Sequence, residues 1–283
     1  MAYEPTLETV ELVSGTTRVR LAPERGGIAT RFEVDDRPIF AMDDATLVDR
    51  SKNVRGGNPV LFPSPGKLAG DAWARDGKSG KMGQHGFARN EPWTLIEKTE
   101  KSATLELRAN ERTRAVFDWD FTLRFTYSVG AAVLRIDQRI ETSSTTPMPF
   151  GIGYHPYFFV PDAEKHKTAV RTTATRAWDN RASMKKDVTL SGIDLTADEV
   201  DLLLHDHNRT EAALVIPDAR RIEVRGSDVF RRWVVWTLKG KDFVCLEPWS
   251  CPGNALNTGE QLLAITRDSP LDAWLEIALV PTD

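Results

Sequence analysis

Two residues far apart in the chain, His155 and Glu247, have types and surroundings that suit proton transfer. His155 lies in residues 151–158 (GIGYHPYF), where glycines permit close backbone approach and Pro156 keeps the residue before it extended. Glu247 follows the apolar run 243–246 (FVCL), and a carboxylate there is costly unless it is paired or functional. Burial would raise its pKa and make it a usable base, and histidine exchanges protons near neutral pH. We predict an acid–base pair; a core histidine and a surface glutamate are the alternatives for each residue alone.

Further polar side chains occupy glycine-rich segments. His85 and Arg89 lie four residues apart in residues 83–89 (GQHGFAR) and could form a polar pocket wall. Arg55, in residues 53–59 (NVRGGNP), offers a forked donor to sugar hydroxyls or to an anion. Turn structure with surface arginines is the alternative interpretation.

Motifs for metals and cofactors are missing from the sequence. His205-Asp-His207 is the densest pair of metal-ligating residues, and it favours a polar turn. No HExxH, paired CxxC, GxSxG, P-loop or GxGxxG motif occurs. Three tryptophans, Trp73, Trp93 and Trp249, could stack on a sugar face, although core packing is the commoner role. We therefore expect a site without a metal.

Strands must position these residues, because period-two alternation dominates the sequence. Residues 122–129 (TLRFTYSV) alternate apolar and polar side chains, which predicts a half-buried strand. Residues 133–140 continue the pattern after a turn at 129–132, which predicts a hairpin. Similar strands are predicted at 17–21, 104–108, 221–225, 233–238, 243–246 and 274–280. Helical signals are confined to 254–263, as a short helix or turn, and to 198–204.

This pattern indicates an all-β fold, a large antiparallel β-sandwich or a barrel, rather than a parallel α/β sheet. No repeat and no change in composition marks a boundary, so residues 1–283 are expected to form one domain. The irregular segments 52–89, 147–161 and 247–259 hold the candidate residues. Long loops in compact domains are commonly functional.

Composition narrows the class of partner and the compartment. The net charge of −4 and the pI of about 5.8 argue against nucleic acid. No run approaches ~18 apolar residues, so no membrane span is expected, and the N-terminus does not read as a signal peptide. The two cysteines, Cys245 and Cys251, suit a reducing cytoplasm, with a single bridge between them as the alternative. The sequence leaves a monomer and a homodimer open.

Four segments, in this order, resemble the aldose 1-epimerase (galactose mutarotase-like) superfamily. They are GGNPVLFP at 56–63, QHGFAR at 84–89 followed by Trp93, GYHPYF at 153–158, and LEP at 246–248 followed by PGN at 252–254 and NTG at 257–259. The resemblance implies an antiparallel β-sandwich with the site on its concave face. It also implies that Glu247 is the base, that His155 is the acid, and that His85 and Arg55 line a sugar site. For the family's mid-chain sugar-binding aspartate, Asp201 is the best match, with Asp179 and Asp206 as rivals.

The implied activity is interconversion of the α and β anomers of a hexose or hexose 6-phosphate, which needs no cofactor. A phosphosugar would need cations, and six crowd the early loop: Arg55, Lys67, Arg75, Lys78, Lys81 and Arg89. A solvated basic loop is the alternative. A non-catalytic carbohydrate-binding sandwich is the main competing function. A glycoside hydrolase would need a second catalytic carboxylate, and a purely structural domain leaves the ordered motifs unexplained.

Overall fold

Two eight-stranded antiparallel sheets dominate the computed structural model, which describes residues 7–188, 192–217 and 220–281. Sheet I contains, in spatial order, β15 (Ala169–Arg171), β19 (Glu211–Ile216), β20 (Arg220–Gly226), β24 (Leu271–Pro281), β11 (Val133–Thr142), β10 (Phe121–Gly130), β9 (Ser102–Arg108) and β8 (Thr94–Lys98). Sheet II contains β17 (Met184–Asp187), β16 (Arg176–Asp179), β18 (Glu199–Leu204), β21 (Arg232–Leu238), β22 (Phe243–Trp249), β13 (Gly153–Tyr154) and β5 (Val60–Leu61), and β14 (Tyr157–Phe159) also pairs with β22.

Smaller sheets and short helices make up the other regular elements of the described residues. A four-stranded sheet comprises β1 (Val10–Ser14), β2 (Thr17–Ala22), β3 (Ile28–Val34) and β4 (Arg37–Pro38). Two-stranded pairs are formed by β12 (Met148–Phe150) with β23 (Leu263–Ile265) and by β6 (Ala72–Arg75) with β7 (Lys78–Lys81). The α-helices are α1 (Asp44–Val48), α2 (Glu111–Val116) and α3 (Ala255–Thr258), and 3-10 turns occupy Pro23–Arg25, Ala69–Asp71, Ala88–Asn90 and Asp162–Lys167. Within the described ranges, no helix has the length and apolar character that crossing a bilayer requires.

The predicted alternation is visible in β10, where Leu123, Phe125, Tyr127 and Val129 are buried and the residues between them are partly exposed. The predicted hairpin pairs β10 with β11 in continuous register down to Gly130 opposite Val133. Inward residues of both large sheets join one hydrophobic cluster, for example Phe125 from sheet I and Val235 and Leu246 from sheet II. Apolar faces of two sheets packed on one core define a sandwich, so the predicted fold class is confirmed.

One predicted element was wrong. The sequence suggests a second short helix or turn at 198–204, but Glu199–Leu204 is strand β18 in the middle of sheet II. Val200, Leu202 and Leu204 are buried and alternate with partly exposed residues, which is a period of two rather than 3.6. The predicted helix or turn at 254–263 contains the four-residue helix α3, and the described cysteines are free and buried.

Candidate active site

A pocket of about 660 Å³ opens on the face of sheet II opposite the core. Side chains alternate across a strand, so β18, β21 and β22 each send every second residue into it. Asp201 lies opposite Trp236, and Val234 lies opposite Glu247. The residues between them face the core: Leu202, Val235 and Leu246. The volume falls within the usual range for small-molecule sites, roughly 300–1,000 Å³.

His155 reaches Glu247 within this pocket. His155 Nε2 lies 3.4 Å from Glu247 Oε1, and both residues are buried. The His155 backbone N–H donates to the Pro59 carbonyl, and its ring stacks on Tyr157 with centroids 4.7 Å apart. The close approach expected from the glycines occurs at Gly153, where a Cβ atom would lie 2.8 Å from the Trp249 ring. The two candidate acid–base residues therefore share one cleft.

Glu247 is a buried carboxyl group whose two oxygens have different partners. Trp249 Nε1 donates to Oε2 at 3.1 Å, while Oε1 faces His155. Burial raises the pKa of Glu247 well above its ordinary value, the charge of Asp201 raises it further, and the Trp249 hydrogen bond and Arg89 oppose the shift. Trp249 thus leaves Oε1 as the oxygen available for proton transfer.

The His155 imidazole is neutral at ordinary pH. Burial, and then the nearby charge of Arg89, lower the pKa of His155 to about 3. Sequence reasoning expected a value near neutrality, and burial among aromatic rings is the reason for the difference. Because the pKa of Glu247 moves up while that of His155 moves down, His155 and Glu247 together hold one proton at pH values between these two pKa values.

His85 forms the wall beside this pair in a constrained backbone conformation. Its φ angle is 72°, in the left-handed region that non-glycine residues rarely occupy. The His85 N–H donates to the Gly66 carbonyl at 2.8 Å, and the Gly66 N–H donates to His85 Nδ1 at 3.1 Å. Burial lowers the pKa of His85 well below its ordinary value, with His155 and Arg89 adding to the shift. A neutral ring that accepts at Nδ1 carries its proton on Nε2, so His85 can donate a hydrogen bond from Nε2.

Three of the six predicted cations line the pocket: Arg55, Lys67 and Arg89. Arg55 and Lys67 are exposed, whereas Arg89 is half-buried and donates to the Gln84 carbonyl. The other three lie elsewhere: Arg75 donates to the Leu256 carbonyl, Lys78 binds Asp118, and Lys81 lines a separate shallow cavity beside Trp73. The expected six-residue cluster was therefore only half right, because the β6–β7 hairpin carries its basic residues away from sheet II.

Of the three candidate aspartates, only Asp201 lines this pocket. Its Oδ1 accepts from Asn180 Nδ2 at 2.7 Å, and burial raises its pKa despite that hydrogen bond. Asp179 lines a neighbouring cavity, and Asp206 accepts from the backbone N–H groups of Thr175 and Arg176. Among the three aspartates, the geometry favours Asp201 as the sugar-binding candidate, and Glu199 of the same strand also lines the pocket, where it accepts from Trp236 Nε1.

Some candidates from the sequence belong to the core instead. Trp73 and Trp93 are almost fully buried, and their indole N–H groups donate to the carbonyls of Val116 and Ala88. His207 is buried and bonds Thr172 through Nδ1, so the 205–207 segment is structural.

The sequence did not single out several residues in or beside the pocket, among them Tyr157, Asn180, Glu199, Trp236 and Cys245. Tyr157 and Cys245 lie two residues from His155 and Glu247, and period-two spacing along an extended segment could have found them. Trp236 needed the register of β21 against β22, which the sequence does not reveal.

Comparison with known proteins agrees with this fold. Residues 9–266 match the family described as aldose 1-epimerase, so the chain belongs to the aldose 1-epimerase family. The Slr1438 protein of Synechocystis sp. PCC 6803 superposes with a TM-score of 0.94 at 36% identity, with 99% of each chain covered. A galactose mutarotase related enzyme from Lactobacillus acidophilus shares the fold, with a TM-score of 0.79 at 20% identity over 98% of this chain and 99% of that one. A Salmonella typhimurium protein with the provisional name glucose-6-phosphate 1-epimerase is 30% identical over 191 residues, which cover 66% of this chain and 58% of the relative.

Proposed function

We propose that this protein is an aldose 1-epimerase that interconverts the anomers of a hexose through the open-chain aldehyde. The observation that carries the proposal is the contact between His155 and Glu247, 3.4 Å apart on the wall of a sugar-sized pocket. Ring opening requires a base at the C1 hydroxyl and an acid at the ring oxygen. The hydroxyl oxygen and the ring oxygen are both bonded to C1, so the base and the acid must lie close together.

Glu247 Oε1 takes the proton of the C1 hydroxyl, and protonated His155 gives its proton to the ring oxygen as the C1–O5 bond breaks. Rotation about C1–C2 exposes the other face of the aldehyde, and the reverse transfers close the ring. The productive form of the pair is the carboxylate with the imidazolium. Burial favours the other arrangement, in which a neutral imidazole faces a protonated Glu247. Both arrangements carry one proton, so transfer of that proton from Glu247 to His155 generates the productive form. No cofactor takes part.

The remaining pocket groups would hold the ring. His85 and Asp201 suit hydroxyl groups, one as a donor and the other as an acceptor. Arg55 and Arg89 are forked donors that suit a phosphate. Together with Lys67 they favour a phosphorylated hexose, in agreement with the provisional name of the Salmonella typhimurium relative. The single domain, the cytoplasmic location and a monomeric or dimeric state remain predictions from the sequence.

The test is to follow anomer exchange by polarimetry or by NMR exchange spectroscopy, with glucose 6-phosphate, glucose and galactose as substrates. We expect catalysed exchange, fastest with the phosphorylated sugar. Sugar binding without exchange above the spontaneous rate would instead establish a carbohydrate-binding sandwich.

A further inference from the structure

A third side chain, Cys245, lies beside the acid–base pair and has no role in the proposed reaction. It precedes Glu247 by two residues on β22, so both side chains lie on the same face of sheet II. The thiol is free and fully buried. Cys245 Sγ, one ring nitrogen of His155 and one carboxyl oxygen of Glu247 all lie within 4.8 Å of one another.

The spacing of these atoms suits one tetrahedral cation. The Nε2–Oε1 distance of 3.4 Å is the separation expected for two ligands about 2.0–2.1 Å from one Zn²⁺ at a tetrahedral angle. Three atoms no more than 4.8 Å apart share a point within about 2.8 Å of each, so shifts of roughly half an ångström would complete the bonds. Three protein ligands with one open position are enough to hold zinc, as catalytic zinc sites show.

We propose that Cys245, His155 and Glu247 form an inhibitory site for a thiophilic divalent cation, with Zn²⁺ as the ligand. The cation takes the imidazole lone pair and the carboxylate oxygen that the acid–base reaction requires, so it competes with the sugar. Two protons are released to solvent, the one shared by His155 and Glu247 and the one on the thiol, and the thiolate becomes the third ligand. The combination of sulfur, nitrogen and oxygen donors selects Zn²⁺ or Cd²⁺ over Mg²⁺ or Ca²⁺, which prefer oxygen.

Binding is tested directly with Cd²⁺, because a cadmium–thiolate bond has an ultraviolet charge-transfer band. The chain supplies its own matched control, since the other cysteine, Cys251, is also free and buried but does not belong to the cluster. We expect one Cd²⁺ per chain in the wild type and in Cys251→Ser, and no band in Cys245→Ser. Mg²⁺ should not displace the cadmium. An absent band in the wild type, or an unchanged band in Cys245→Ser, would overturn the proposal.

A second variant guards against a folding defect in Cys245→Ser, whose fold is checked by near-ultraviolet circular dichroism. His155→Asn keeps the thiol, and we expect it to bind Cd²⁺ with the same band but at least about 10-fold more weakly, because even the loss of an outer-sphere partner costs that much. Affinity equal to that of the wild type would exclude His155 as a ligand and contradict the site.

Inhibition is the second measurement, and it alone rests on the proposed epimerase activity. We expect Zn²⁺ to raise the apparent KM for the sugar without changing kcat, and Cys245→Ser to need at least about 10-fold more Zn²⁺ for the same effect. If the chain proves to have no epimerase activity, the cadmium band still decides whether the site exists. If activity is present and Zn²⁺ inhibits Cys245→Ser as strongly as the wild type, the proposed site is wrong.

Discussion

Two buried glutamates show how differently the outer faces of the two large sheets are used. Glu106 on sheet I is 7% exposed and Glu247 on sheet II is 1% exposed. Glu106 accepts hydrogen bonds from Arg108 at 2.6 Å and from Arg124 at 2.7 Å. Glu247 has the indole of Trp249 and the imidazole of His155, with no arginine hydrogen bond among the described residues. A buried carboxylate with two arginines is a structural ion, whereas one with weak partners keeps an available proton site.

The pKa shifts follow the same division. Burial raises the pKa of Glu106, but the hydrogen bonds from its two arginines outweigh burial and the net shift is downward. Burial also raises the pKa of Glu247, and there the opposing contacts are too weak to reverse it. Sheet I therefore uses its polar face for cross-strand ion pairs such as Arg139–Asp272 at 3.0 Å, and sheet II uses its polar face for a pocket.

The largest expected effect is on activity, and it separates the two glutamates. Glu247→Gln should lower the turnover of anomer exchange by at least about 100-fold, because it removes the base. His155→Asn should do the same through loss of the acid. Glu106→Gln serves as the matched control and should leave turnover within about twofold, since Glu106 lies on the other sheet. Near-normal exchange in Glu247→Gln would remove it from the base role.

The order of motifs and the period-two alternation predicted the fold, and both depend only on local sequence. Through the resemblance to a family, the order of the motifs also predicted that the side chains of His155 and Glu247 would lie close together. The pairing of β18 with β21 depends on long-range register instead. The consecutive apolar residues Leu202, Leu203 and Leu204 obscure the alternation of β18, so the sequence of 198–204 suggests a short helix or turn. Without the register of β18 against β21, Asp201 could be singled out only weakly.

The burial of the site could not be predicted from the sequence either. The low pKa of His155 depends first on burial, to which Trp236 of β21 contributes with its ring centroid 5.6 Å away, and then on Arg89, and both residues reach it from other segments. The Trp249–Glu247 hydrogen bond could have been predicted, because residues two apart on a strand share a face.

A smaller effect concerns the arginines. Those on sheet I such as Arg139 are paired with carboxylates, whereas those that line the pocket remain available to a substrate. Arg55→Ala should lower kcat/KM for glucose 6-phosphate by roughly 10-fold, the contribution of one charge-assisted hydrogen bond. The rate with free glucose should change much less, because glucose lacks the phosphate. Arg139→Ala is the control from sheet I and should affect neither substrate. Equal losses with both sugars would show that Arg55 orients the ring rather than the phosphate.

Trp249 should tune the pair rather than take part in proton transfer. Trp249→Phe removes the donor to Oε2 and keeps an aromatic ring, so the Glu247 carboxylate becomes less stable and its pKa rises further. The alkaline limb of the kcat profile reports loss of the pair's mobile proton, and we expect it to move upward by up to about one pH unit while kcat falls roughly 3- to 10-fold. A fall in kcat with an unmoved alkaline limb would indicate a packing role alone.

The smallest effect is on stability, where the two glutamates should differ in sign. The folded-state pKa of Glu106 lies below its ordinary value of 4.5, so the folded protein binds fewer protons than the unfolded chain between these values. The stability that Glu106 contributes is therefore present above pH 4.5 and is lost as the pH falls through its folded-state pKa. Glu106→Gln should cost about 1 kcal/mol at pH 7 and should flatten that acid dependence.

The pKa of Glu247 is raised in the folded state, so the folded protein binds more protons than the unfolded chain above pH 4.5, and stability falls as the pH rises toward the folded-state value. Glutamine does not titrate, so Glu247→Gln should remove this loss and should be as stable as the wild type, or more stable, at pH 7 and above. Urea unfolding at several pH values measures both slopes. If Glu247→Gln lost as much stability at pH 7 as Glu106→Gln, Glu247 would be a structural ion like its counterpart, and the contrast between the two sheets would fail.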